Sequence, residues 1–172
     1  MTIRPDTKDW TWVLDRPCPE CGYDASAIAA ANVAVAVRGN AEGWAPVLCR
    51  ADVRQRPNPS TWSPLEYGCH VRDVFRLYDY RLSLMLEQDD PLYPNWDQDV
   101  TAVEERYDQQ DAAVVAPELR DAAAAIADRF DTVTGEQWQR RGRRSDGASF
   151  TVDSFARYFL HDVVHHLHDV GG

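Results

Sequence analysis

Basic charge, cysteine and long apolar runs are all scarce in this chain, and each scarcity removes a class of function. Lysine is nearly absent: Lys8 is the one lysine among 18 basic residues, the rest being arginine. That bias fits the codon usage of a GC-rich genome and carries no mechanism. Against those 18 stand 28 acidic residues, giving a formal charge of -10 and a pI near 4.8. Nucleic-acid binders need a basic surface to displace counterions from phosphates, so nucleic acid is excluded as a partner. No apolar run approaches the roughly 20 residues that span a bilayer, and the opening residues lack the apolar core of a secretory signal. The sequence therefore predicts a cytoplasmic protein with no membrane association. Four cysteines in such a compartment stay reduced, so no disulfide framework is expected.

Strand-type alternation is also sparse, whereas apolar residues recur at helical spacing. A chain of 172 residues can bury one core without covalent staples. The pattern predicts an all-α four-helix bundle over residues 26–172, preceded by an irregular arm over 1–25 that carries Trp10, Trp12 and Leu14. Helix one is expected from Ser26 to about Leu48, with Gly39 and Gly43 weakening it. Ser63, Pro64 and Glu66 form a helix start with a capping box, so helix two runs from there to about Glu87. The segment Asp89 to Asp99, with its prolines, aromatics and acids, reads as a long loop of the kind that borders a site. Helix three is expected from about Asp111 to Val133, with Pro117 marking a kink or a later start. Helix four opens at Thr151 as N-cap and runs to about Val170, giving a bundle with one long connection.

Three groups of residues could carry chemistry. The first is His161 and His165, in F-L-H-D-V-V-H-H-L, with His70 in G-C-H-V-R-D-V. Imidazoles at i and i+4 share a helix face, so one metal could take a nitrogen from each, and His70 would complete a three-histidine site with an open position. The competing reading is a solvated polar face, because both histidines fall away from the centre of the apolar arc. Glu66, Asp73 and Asp162 are candidates to hold the second nitrogen of a ligand imidazole. His166 and His168 are alternative ligands, but are better read as the solvent-facing end of a histidine-rich helix.

The second group is Cys18-Pro19-Glu20-Cys21-Gly22, a tight turn able to offer two thiolates to a metal or to act as a redox pair. No second cysteine pair follows at knuckle spacing, so two ligands are missing. The third is the loop at Trp96 and Asp97 with the basic cluster Arg140, Arg141, Arg143 and Arg144. These could cover a cavity and hold carboxylates, or pair with one another on the surface.

Trp62 to His70, opening a second helix, and His161 to His166, closing a fourth, resemble the DinB-like superfamily over roughly residues 26–170. The resemblance implies a four-helix bundle with a divalent metal on three histidines, which match His70, His161 and His165. Zinc is the first expectation, with nickel, manganese and iron as alternatives. It also implies an enzyme that uses a low-molecular-weight thiol. The arginine-rich composition looks actinobacterial, where the family's thiol is mycothiol. The implied function is a thiol S-transferase or isomerase acting on small electrophiles, with no assigned catalytic side chain and with Tyr158 and Ser154 as hydrogen-bonding candidates near the site. The alternative is a non-catalytic, stress-related bundle that binds a metal or ligand. A homodimer would suit either reading.

Overall fold

The computed structural model describes Ile3 and residues 9–172; the rest of the N-terminal arm, Lys8 included, lies outside the described residues. Four long helices dominate: α1 (Val33–Leu48), α2 (Pro64–Glu87), α4 (Ala112–Asp131) and α5 (Val152–Asp169), with a short α3 (Gln98–Glu104) in the long connection. Helix α4 packs along both α1 and α2, and α5 along α1 and α2, which closes the four-helix bundle.

Local chemistry sets the ends of these helices. The Ser63 hydroxyl accepts from Glu66 N–H at 3.3 Å while the Glu66 carboxylate accepts from Ser63 N–H at 2.8 Å, the reciprocal cap expected of this sequence. Thr151 caps α5 in the same way through Ser154. Asp111 caps α4 by accepting from Ala113 N–H. Helix one begins later than expected, at Val33, because residues 25–32 form two 3-10 turns.

Two features were not expected. The loop of prolines and acids contains α3, whose start is set by Asp97 accepting from Asp99 and Val100 N–H. A three-stranded sheet also forms from β1 (Leu92–Tyr93), β2 (Arg141–Arg144) and β3 (Ser149–Thr151), in the order β1-β2-β3. β1 pairs in parallel with β2, and β2 and β3 form a hairpin. Alternation over so few residues leaves no period to read.

Phe159 sits at the bundle centre, with its ring 5.9 Å from Phe75, 5.0 Å from Tyr78 and 6.0 Å from Phe130. At Gly68 a Cβ would lie 2.7 Å from Leu48 Cδ2, so this glycine permits the close approach of α1 to α2 two residues before His70. Among the described residues, no helix is long and apolar enough to cross a membrane. All four cysteines are free thiols.

Candidate metal centre

Helix α5 carries two overlapping i, i+4 pairs, His161 with His165 and Asp162 with His166. One residue on an α-helix turns the face by about 100°, so the two pairs address different neighbours. The rotation of α5 in the bundle aims Asp162 and His166 at α2 and His161 and His165 at the N-terminal arm. The ligand atoms accordingly sort into two sets, each gathered within 4.8 Å: His70, Asp162 and His166, and Cys18, Cys21, His161 and His165. The expected set of His70 with His161 and His165 is thus divided between them.

His70, on the second turn of α2, is fully buried. Trp96 stacks on its ring at 5.3 Å with planes 3° apart, and Trp62 lies 5.2 Å away on a tilted plane. Its Nε2 is 3.8 Å from Asp162 Oδ1, beyond hydrogen-bond reach, and neither of its ring nitrogens has a hydrogen-bond partner. Asp162 Oδ1 lies 3.0 Å from His166 Nε2, and His166 Nδ1 lies 3.2 Å from Asp169 Oδ2. A metal taking His166 Nε2 would therefore find the other nitrogen already held by a carboxylate, the usual support for a ligand imidazole.

The charges follow the same arrangement. Burial keeps His70 below the ordinary histidine range. Burial pulls His166 down as well, but Asp162 and Asp169 together push it up to about 9. Burial would raise the Asp162 carboxyl, yet His166 and His70 hold it well below the usual carboxylate range. Two imidazoles and a carboxylate form a donor set suited to zinc, iron, nickel or manganese. An ion would take the lone pair of one of the two unpartnered buried nitrogens of His70, so the residues present fit the group.

The centre borders a cavity of about 1060 Å³ whose lining includes Asp162, His166, Trp96, Tyr78, Tyr158 and Arg144. The Arg144 guanidinium is paired to Asp146 at 2.9 Å and reaches Tyr158 Oη at 3.3 Å. Arg81, only 3 % exposed, also lines the cavity, donates to Pro94 O at 2.8 Å and leaves its Nε unpartnered. Sequence reasoning missed Arg81; Tyr78, expected in the core, is buried there and also lines the cavity. The available signal was an arginine in phase with the apolar stripe of α2.

Several expected roles fall elsewhere. Glu66 is taken up by the helix cap and by Arg56, whose Nε lies 2.9 Å from its carboxylate. Asp73 accepts from Tyr107 Oη at 2.5 Å and from Arg72 Nε at 2.9 Å, so neither it nor Glu66 holds His70. Asp162, expected behind a ligand, stands among the candidate ligand atoms. His166, expected to face solvent, is 17 % exposed and paired at both nitrogens, whereas His168 is exposed. Ser154 is committed to the α5 cap. Asp97 lines the cavity but also caps α3. Of the four clustered arginines only Arg144 lines the cavity; Arg140 donates to Met85 O and Gln88 O, and Arg143 pairs with Asp90.

Around the second set, burial pulls His161 down to about 4 and pushes the Cys21 thiol up to about 11. Cys18 Sγ lies 3.7 Å from His165 Nδ1.

A helical bundle with a two-histidine, one-carboxylate set beside a cavity lined by tyrosines, tryptophans and arginines has the donors of a metal-binding bundle protein. The chain belongs to the DinB superfamily, whose sequence pattern matches residues 35–170. Among solved structures it is similar to YfiT from Bacillus subtilis, described as a probable metal-dependent hydrolase with an unusual four-helix bundle topology. That likeness has a TM-score of 0.64 at 14% identity and covers 99% of this chain and 92% of YfiT. At that identity it shows the shared fold. A search of the curated proteins gives no match.

Proposed function

We propose that this chain is a metal-dependent DinB-superfamily enzyme in which His70, Asp162 and His166 hold a divalent metal and a small thiol attacks an electrophile bound in the adjoining cavity. The carrying observation is His70: a fully buried imidazole without a hydrogen-bond partner at either nitrogen, beside a carboxylate and a second imidazole. Each buried polar group left this way costs roughly 1–3 kcal/mol, and a resident ion would remove that penalty at one of the two nitrogens. When bound, the ion supplies the Lewis acidity that makes a thiol or water nucleophilic near neutral pH.

The chain's own residues divide the remaining work. Trp62 and Trp96 fix the plane of His70, and Asp169 fixes that of His166. Arg144 and Arg81 place cationic donors on the cavity wall, suited to an anionic group on the electrophile. Tyr158 and Tyr78 add hydroxyls beside apolar ring faces, which suits a small electrophile with a polar end. The description of YfiT favours water as the nucleophile, and the same residues would serve that reaction.

One experiment separates these cases. Purified protein is reconstituted with zinc, nickel, manganese or iron and assayed against model electrophiles and esters, with and without mycothiol. Thiol-dependent turnover that vanishes in His70→Ala supports the proposal. Metal-dependent turnover that ignores thiol replaces it with hydrolysis, and metal-independent turnover overturns it.

A further inference from the structure

The proposed centre of His70, Asp162 and His166 leaves His161, His165 and the cysteine turn without a role. We infer that Cys18, Cys21, His161 and His165 form a second, structural zinc site that clamps the N-terminal arm to α5. The inference goes beyond the proposed reaction and holds whether or not the cavity is catalytic.

Four side chains of zinc-binding type each bring one ligand atom within 4.8 Å of the others. A tetrahedral zinc with sulfur ligands at about 2.3 Å separates its two sulfurs by about 3.8 Å, so a small contraction around the ion completes the site. The cysteine turn has the required shape. Cys18 N–H donates to Tyr23 O at 2.8 Å, Gly22 N–H donates to Cys18 O at 2.9 Å, and Gly22 has φ +75, a conformation that favours glycine.

The histidines point the same way. His161 is 4 % exposed and its Nε2 has no hydrogen-bond partner. His165 turns Nδ1 to Cys18 Sγ, and its Nε2 lies 3.5 Å from Glu20 and 3.6 Å from Asp169, carboxylates placed to hold a ligand imidazole. Trp10 covers both rings at 5.4 and 5.3 Å.

The charge balances. Two thiols lose their protons to solvent as zinc binds, and two thiolates with two neutral imidazoles leave the buried site with no net charge. Four protein ligands close the coordination sphere, as in structural rather than catalytic sites. The consequence reaches the first centre, because fixing His161 and His165 fixes the rotation of α5 that turns Asp162 and His166 toward His70.

The test uses the full chain, stripped by chelator and titrated with cobalt(II). About one cobalt per chain is expected to give a thiolate-to-cobalt charge-transfer band and the intense visible absorption of a tetrahedral site. Both signals persist in His70→Ala, which separates this site from the proposed enzymatic one, and both vanish in Cys18→Ser/Cys21→Ser and in His161→Ala. A second measurement needs no variant: zinc slows alkylation of Cys18 and Cys21 by about tenfold or more, while the exposed Cys49 reacts unchanged. Absence of the thiolate band in the wild type, its survival in His161→Ala, or a Cys18–Cys21 disulfide in protein purified under reducing conditions overturns the inference.

Discussion

Replacing His70 by leucine is expected to stabilise the metal-free protein and to destabilise the metal-loaded one relative to wild type. In the stripped chain the imidazole is fully buried, with one donor and one acceptor unsatisfied. Each such group costs about 1–3 kcal/mol, so leucine relieves roughly 2–6 kcal/mol. The new shape loses some of the fit between Trp62 and Trp96, at about 1–3 kcal/mol for an imperfect core swap. Taken at the middle of each range, the net expectation is a gain of about 2 kcal/mol, or about 4–8 °C in Tm for a chain of this size. With metal at 100 times its Kd, wild type gains about 2.7 kcal/mol that the variant cannot, more than the gain of about 2 kcal/mol from leucine, so the order of stabilities reverses. Urea unfolding of both proteins, in chelator and in excess metal, reads this directly. The second metal set is common to both proteins and cancels. A His70→Leu protein less stable than wild type in chelator would refute the reasoning, because His70 would then have partners that the geometry denies it.

Three further outcomes follow from named contacts. Phe159→Ala removes the ring that touches Phe75, Tyr78 and Phe130, and should cost about 3–5 kcal/mol in denaturant unfolding. Arg144→Gln removes a cationic donor from the cavity wall; KM for an anionic electrophile should rise about 10- to 100-fold with kcat little changed, as charged hydrogen bonds of this kind are worth about 1.5–3 kcal/mol. Burial would raise the Glu66 carboxyl, but Arg56 and the Ser63 N–H hold it below its ordinary 4.5. A depressed folded-state value means that its contribution is present above pH 4.5 and is lost as pH falls below it. Glu66→Gln should therefore lower stability at neutral pH by about 1–2 kcal/mol and flatten the acid limb of a Tm-against-pH curve.

The bundle was legible because its signals are local and repeated: the Ser63 and Thr151 caps, the apolar stripe of α2, and the phenylalanines of α5 each specify a helix with a buried face. The sheet and α3 were not, since β1 is a two-residue strand paired with a segment some fifty residues away, and α3 depends on an aspartate cap inside a proline-rich stretch. Spacing revealed that α5 carries a pair of ligand-type side chains but not which pair meets His70. A histidine-only search favoured 161 and 165, whereas the choice is made by the rotation of α5 about its own axis, a tertiary quantity. The same rotation supplied the two ligands that the cysteine turn lacked in the sequence. Arg81 stayed hidden because a lone arginine in an apolar stripe usually reaches solvent along its stem.

The most direct test of the central claim is an anomalous-difference map from crystals of the metal-reconstituted protein, recorded at the absorption edge of the added ion. The account predicts a peak bound by His70, Asp162 and His166, distinct from any density among Cys18, Cys21, His161 and His165. A peak shared by His70, His161 and His165, or no density beside His70 in fully loaded protein, would contradict it.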